Sequence, residues 1–263
     1  MKIKFLKMNG TGNDFIVIDN RDGKIDNASK LASKLCTRRV GIGADGLLLL
    51  ENSNKADVRM RYLNSDGSEV AMCGNGARCT AFFANMLGLP DNFMMETGAG
   101  ILSAEIDNDM IRIGMPEAEI STNAYVVEVE GERMMAYHAN TGVDHKVLFL
   151  EHLESIPVEK IGRKIRYDKL FQPDGTNVNF VKVIDEKTIE LRTYEKGVEA
   201  ETLSCGTGAT ASALIAGALG LVRSPVTAKV ALPAELIVEF DENIENIYLN
   251  GPVEISFSGE VEY

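Results

Sequence analysis

Apolar residues alternate with polar ones at Ile3 and Phe5 between lysines, and at Val58, Met60 and Tyr62 between arginines. A period of two predicts half-buried strands over residues 3–8 and 58–63. A further strand over 15–19 follows the tight turn Gly10-Thr11-Gly12-Asn13, and the four leucines 47–50 read as another. Leu31, Leu35 and Val40 fall on one helical stripe, so a helix capped by Asn27 or Ser29 is expected to reach about Arg39. Helices are also expected over 75–87, over 158–167, and from Gly206 to about Leu219. Turn residues predict hairpins pairing 101–106 with 110–114, 125–130 with 133–139, and 178–184 with 187–193. Segment 226–257 reads as a meander of short strands. Adjacent hairpins imply antiparallel sheets with two long helices buried inside them, an α+β fold.

A chain of 263 residues suits two domains of roughly 100–150 residues. Pro116-Glu117-Ala118-Glu119 marks the boundary. An N-terminal domain over 1–116, completed by a last strand at about 252–263, and a C-terminal domain over 117–251 are expected. Both expected central helices begin with the same device, Cys73-Gly74-Asn75-Gly76-Ala77 and Cys205-Gly206-Thr207-Gly208-Ala209, 132 positions apart. At that offset Tyr62 falls on Tyr194 and Glu69 on Glu201, so 61–77 and 193–209 share six identities in seventeen. Matching flanks argue for two homologous halves, each presenting one cysteine at a helix start.

Composition narrows the partners. The apolar (45%) and charged (25%) fractions are those of a soluble globular protein. A net charge of −12 argues against a nucleic-acid partner, whose phosphates would need Lys and Arg. No apolar run approaches the roughly 20 residues of a membrane span, and no signal-peptide core precedes the first strand, so a cytoplasmic protein is expected. Four cysteines there should stay reduced. Cys73 and Cys79 lack zinc spacing and a nearby histidine, so no metal site is expected. Cys36 and Cys79 read as small buried hydrophobes. Gly41-Ile42-Gly43-Ala44-Asp45-Gly46 formally matches G-x-G-x-x-G. A dinucleotide loop, however, follows a strand and opens a helix, whereas here a helix precedes and a strand follows.

A cysteine at a helix N-terminus meets free N–H groups and the positive end of the helix dipole, which favour thiolate over thiol. The glycines beside it let the backbone cradle an anion such as a carboxylate. Two such turns across a cleft could remove a proton from one face of a carbon and return one to the other, inverting a stereocentre. A lone Cys-Gly-X-Gly would be an ordinary helix entry; its retention in both halves favours the catalytic reading.

The motifs that carry a resemblance run nearly end to end. They are Met8-x-Gly10-x-Gly12-Asn13-Asp14-Phe15, the Gly41–Gly46 segment, Asn64-x-Asp66-Gly67-Ser68-Glu69, Met72 through Cys79, Thr176-Asn177-Val178, and Glu195 to Gly208. The sequence resembles the diaminopimelate epimerase family, within the cofactor-independent two-cysteine racemases. The resemblance implies two similar antiparallel barrel-like domains, each wrapping a central helix, with the active site between them. It implies interconversion of LL- and meso-diaminopimelate for lysine and peptidoglycan-precursor biosynthesis, no pyridoxal phosphate or other cofactor, and a homodimer. It makes Cys73 and Cys205 the acid/base pair, with N–H groups of Gly74, Asn75, Gly206 and Thr207 on the substrate carboxylate. Asn13, Asn64, Asn177, Glu195 and Lys196 would recognise the small amino-acid substrate, and His145 and Glu195 would tune the thiols.

Four positions depart from the family pattern. Lys196 stands where an arginine is usual, losing a bidentate fork. Val143 replaces a frequent asparagine, Asp144 the usual proline, and Gly46 a glutamine found in some members. The same mechanism on histidine, lysine or lanthionine is therefore the alternative. A thiol-redox protein and a non-catalytic amino-acid-binding module are readings from other classes, and neither needs matched Cys-Gly turns.

Overall fold

The protein is described from a computed structural model, over residues 2–231 and 234–262. It divides into two compact units, Met1–Gly114 with Gly251–Tyr263, and Met115–Asn250.

In the first unit the strands β1 (Lys2–Gly10) and β2 (Asn13–Asp19) form a hairpin, followed by helix α1 (Ala28–Cys36). Then come β3 (Gly46–Glu51), β4 (Val58–Asn64), the short β5 (Glu69–Val70) and helix α2 (Gly74–Met86). Strands β6 (Asn92–Thr97), β7 (Gly100–Asp107) and β8 (Met110–Gly114) close the segment, and the last strand of the chain, Glu254–Glu262, pairs antiparallel with β1. The second unit repeats the plan. Its strands β9 (Glu119–Val129), β10 (Glu132–Asn140) and β11 (Asp144–Phe149) precede helix α3 (Val158–Arg166). Strands β12 (Asn177–Asp185), β13 (Thr188–Glu195) and β14 (Ala200–Thr202) lead into helix α4 (Gly206–Ala218), and β15 (Val226–Lys229), β16 (Glu235–Glu239) and β17 (Tyr248–Pro252) follow. Among the described residues a 3₁₀ turn, Lys169–Phe171, has no counterpart in the first unit, and periodicity does not signal it.

The sheets are mixed rather than purely antiparallel. β2 pairs parallel with β3 across α1, and β4 with β6 across α2. β11 with β12, and β13 with β15, repeat this across α3 and α4. A chain that leaves a sheet through a helix and rejoins it returns in the same direction, so each helix creates one parallel join. The fold is α+β, in two repeated halves.

Each unit has an inner helix, a sheet and an outer helix. β3 touches both α1 and α2, which is why Leu47, Leu48, Leu49 and Leu50 are all fully buried and alternation disappears there. Helix α4 is buried on every side from Gly206 to Ala216. Its small residues suit the interior of a narrow sheet enclosure. Thr210 and Ser212 stay satisfied there by donating to the Gly206 and Gly208 carbonyls at 3.0 and 2.7 Å.

Helix α1 ends three residues before the expected Arg39. Gly43 N–H donates to Leu35 O and Ala44 N–H to Cys36 O, so the Gly41–Gly46 segment folds back and occupies the last helical carbonyls. Val40 consequently leaves the apolar stripe and is 84% exposed.

Candidate active site: two cysteine half-sites

In the first unit Cys73 is the N-cap of α2. Its backbone is extended (φ −148°, ψ 113°), and its Sγ accepts the Gly76 N–H at 3.4 Å. The Cys73 thiol also lies 3.6 Å from Asn13 Oδ1, to which it donates. The Asn13 amide is fixed by its other end: Nδ2 donates to Asp45 Oδ2 at 2.7 Å. A carboxylate only accepts, so the amide presents its carbonyl oxygen, not its NH2, to the sulfur. Asp45 in turn accepts Arg38 Nη2 at 2.9 Å, and Arg38 also grips Asp14. Lys7 closes the cluster by pairing with Asp14. Burial works to raise the Asp14 carboxyl, but hydrogen bonds from Arg38 and Lys7 outweigh it and hold the group below the usual carboxylate range.

The Gly41–Gly46 segment therefore has a task that its glycine spacing does not announce. It delivers Asp45 to Asn13. Asn75 is buried in the first turn of α2, and its Oδ1 accepts Arg78 Nη2 at 3.0 Å. Asn64, at the end of β4, turns to its own loop: N–H donates to Ser68 O at 2.9 Å and Nδ2 to Ser68 Oγ at 3.1 Å.

In the second unit Cys205 is the N-cap of α4, with φ −130° and ψ 107°. Its Sγ lies 3.4 Å from Thr207 Oγ1, and Thr207 Oγ1 lies 3.1 Å from His145 Nε2. His145 Nδ1 is 2.9 Å from Asn179 Nδ2, and Thr193 donates its hydroxyl to Asn179 Oδ1 at 2.9 Å. With that amide orientation Nδ1 accepts, Nε2 carries the ring proton, and the Thr207 hydroxyl hydrogen is left for the Cys205 sulfur. His145 is completely buried; burial first, then repulsion from His138 and Lys146, pushes its pKa down to about 3. It is a neutral relay, not a cation.

Asn177 faces His145 across the parallel β11–β12 pair, and its Oδ1 accepts the Lys196 N–H at 2.7 Å. Lys196 is exposed, with Nζ on the Asp174 carbonyl at 3.2 Å. Glu195 ends β13, half-buried, its carbonyl accepting the Glu199 N–H. Val143 accepts the Thr141 N–H, while Asp144 accepts from Asn140 Nδ2 at 3.4 Å. Sequence reasoning missed Asp45, Asn179 and Thr193. For Asn179 a signal existed: Asn177 and Asn179 share one face of the otherwise apolar first half of β12, an arrangement that buries two polar side chains together.

Gly46 has a steric explanation. A Cβ built there would stand 2.4 Å from the Tyr62 ring and 2.6 Å from Leu63 O. Tyr62 fills the space that a side chain at 46 would need. Gly46→Gln is expected to destabilise the protein by about 1–3 kcal/mol, the range of overpacked cores. Adding Tyr62→Ala should recover part of that loss, giving a favourable coupling energy in a double-mutant cycle followed by urea denaturation. Additive losses would show that the ring is not the obstacle.

Among the described residues no cluster of three or more His, Cys, Asp or Glu could hold a metal ion, and no helix is long and apolar enough to cross a membrane.

The family model described as diaminopimelate epimerase matches residues 5–120 and 137–256. A diaminopimelate epimerase of Aquifex aeolicus is 40% identical, the alignment covering 98% of each chain. One of Archaeoglobus fulgidus is 43% identical over 98% of this chain and 96% of its own. Among solved structures, a Bacillus anthracis phenazine biosynthesis protein of the PhzF family superposes with a TM-score of 0.77 at 16% identity, each chain covered in full. A hydroxyproline epimerase from Agrobacterium vitis gives 0.72 at 16% identity, covering 99% of this chain and 92% of that one. At such identities the structural matches speak for the fold alone.

Proposed function

The chain belongs to the diaminopimelate epimerase family, and from that premise we propose that it interconverts LL- and meso-diaminopimelate by moving a proton at one α-carbon. The observation that carries this reading is the pair of matched N-caps, Cys73 on α2 and Cys205 on α4. One cysteine, as thiolate, takes the α-proton; the electron pair of the broken C–H bond spreads into the substrate carboxylate. N–H groups at the helix starts, those of Gly74, Asn75, Gly206 and Thr207, stabilise that charge as it develops. The other cysteine, as thiol, gives its proton to the opposite face, and the carbon inverts. The protein's own side chains carry the proton, so the scheme calls on no cofactor. The reading brings with it a cytoplasmic homodimer acting on a small amino acid.

Asn13, Asn64, Asn177, Glu195 and Lys196 would recognise the substrate, with Asn64, Asn177 and Lys196 at its distal amino-acid group. Lys196 offers a single point charge rather than an arginine fork, which supports a second reading, the same chemistry on another amino acid. A panel of LL-diaminopimelate, L-histidine, L-lysine and lanthionine in D2O separates the two. Deuterium should enter one α-carbon of LL-diaminopimelate with formation of the meso isomer on chiral chromatography. Faster exchange into another member of the panel would replace the substrate and leave the mechanism standing.

A further inference from the structure

Arg78, in the second turn of α2, is completely buried, yet none of its hydrogen bonds goes to a carboxylate. Nη1 donates to Gly74 O at 3.4 Å, while Nη2 donates to Asn75 Oδ1 at 3.0 Å and Thr11 Oγ1 at 3.1 Å. Nε is buried without a partner. A buried guanidinium usually has an anion beside it, because desolvating an isolated charge is costly. Burial lowers its pKa, but only to about 10, so it stays protonated at neutral pH.

Its neighbours explain what the charge meets. The titratable groups whose fields reach Arg78 are Cys79 and Cys73. Cys79 is fully buried and pushed up to about 12, so it remains a thiol. The strands packed on α2 are β1, β2, β3, β4, β7 and β8. Lys7 and Asp14 are paired with each other and with Arg38, Asp19 with Arg21, Glu51 with Arg61, and Glu105 with Arg112. With those carboxylates paired elsewhere, the geometry leaves Arg78 a thiolate at Cys73, the N-cap one turn before it, whose neighbour Gly74 it already bonds.

The other contacts of Arg78 hold the β1–β2 turn on α2. Thr11 has φ 54° although it is β-branched, a strained turn residue, and its hydroxyl both donates to Gly10 O and accepts from Arg78. A Cβ at Gly10 would stand 3.0 Å from Asn75 O and 3.4 Å from Arg78 Nη2, so the turn is pressed against the helix start. Asn13, next to Cys73, follows directly from this turn. The repeat supplies an internal comparison: 132 positions on, Thr210 occupies the place of Arg78 and bonds the equivalent carbonyl, Gly206 O, without any charge.

We propose that Arg78 is a positioning residue of the Cys73 half-site: its buried guanidinium fastens the Gly10–Asn13 turn to the start of α2 and supplies a fixed positive charge that favours the Cys73 thiolate. The two half-sites are thus unequal, with a full charge behind Cys73 and a neutral hydroxyl relay behind Cys205. The Asn13 carbonyl opposes this at Cys73, but a single amide dipole at 3.6 Å is weaker than a full charge in a dry interior. The assignment of Cys73 as the acid/base thiol rests on the proposed function; the charge coupling does not.

Alkylation of Cys73 by iodoacetamide, followed peptide by peptide by mass spectrometry between pH 5 and 10, tests it without any substrate. In Arg78→Met the midpoint should move up by about one pH unit, the low end of what an opposite charge nearby supplies. The rate at pH 7 should fall about tenfold, and Arg78→Lys should restore most of it. An unchanged midpoint in folded R78M overturns the proposal, as does a shift in R78K equal to that in R78M. If R78M is not recovered folded, Arg78→Gln gives the same contrast. An enzyme inactive on diaminopimelate whose Cys73 midpoint still shifts would refute the substrate and leave Arg78 standing.

Discussion

Cys73→Ala and Cys205→Ala are each expected to lower epimerisation of LL-diaminopimelate by about 10³-fold or more, within the 10²–10⁴ a positioned acid or base contributes and with no second group to replace it. The loss should appear in both directions of the reaction, because inversion needs one carrier to take the proton and another to give it. Single substitutions and the double variant should then be nearly equal, as for residues that act as one unit. Stability should change little: each cysteine sits at a helix cap rather than in the packed interior of a sheet, and an N-cap change costs about 1 kcal/mol. Chiral chromatography of the product, with deuterium at the α-carbon read in parallel, makes the measurement. Inversion retained in both single variants would end the two-thiol scheme. Oxidation should inactivate an epimerase of this kind, whereas a thiol-redox protein would need a Cys73–Cys205 disulfide for its activity or partner binding.

What could be read from the sequence was whatever repeats or alternates. The Cys-Gly turns gave away both helix starts, because a cysteine before glycines and an Ala-rich run can do little else locally. Strand alternation located β1 and β4. At β3 alternation is absent, because helices cover both faces, and the strand is legible instead from the uninterrupted leucines 47–50. The end of α1 was misjudged because its last carbonyls are satisfied from Gly43 and Ala44, a tertiary fold-back that no helix-stripe count registers. Site partners were hidden for a related reason. Asp45 reaches Asn13 from 32 residues away, and Thr193 reaches Asn179 only because β12 and β13 are paired in that register. Spacing along the chain shows which residues could be chemical, while sheet register decides which of them touch.

Acid should unfold the protein through His145. Folded, its pKa is about 3; unfolded, a histidine titrates near 6.5. Above pH 6.5 both states are neutral and the residue adds no pH dependence. Below it the unfolded chain binds a proton that the folded one refuses, so stability falls by about 1.4 kcal/mol per pH unit down to about pH 3. Summed over that window the loss is on the order of 4–5 kcal/mol, a large share of the net stability of a domain. His138, lowered by burial and by Lys146, acts with the same sign. Asp14 and the lowered glutamates, Glu130 among them, add their own losses as pH falls toward 4.5, so the interval from 6.5 to about 5.5 isolates the histidines. Proton uptake on unfolding, measured calorimetrically in buffers of different ionisation enthalpy at pH 5.5, should be about one proton smaller in His145→Gln than in the wild type. Equal uptake would mean that His145 titrates normally in the folded state. The same neutrality bears on the reaction: an imidazole uncharged throughout the working range can pass hydrogen-bond direction through Thr207 to Cys205, but no charge. An acid limb in kcat/KM should therefore survive His145→Gln and report the thiols instead.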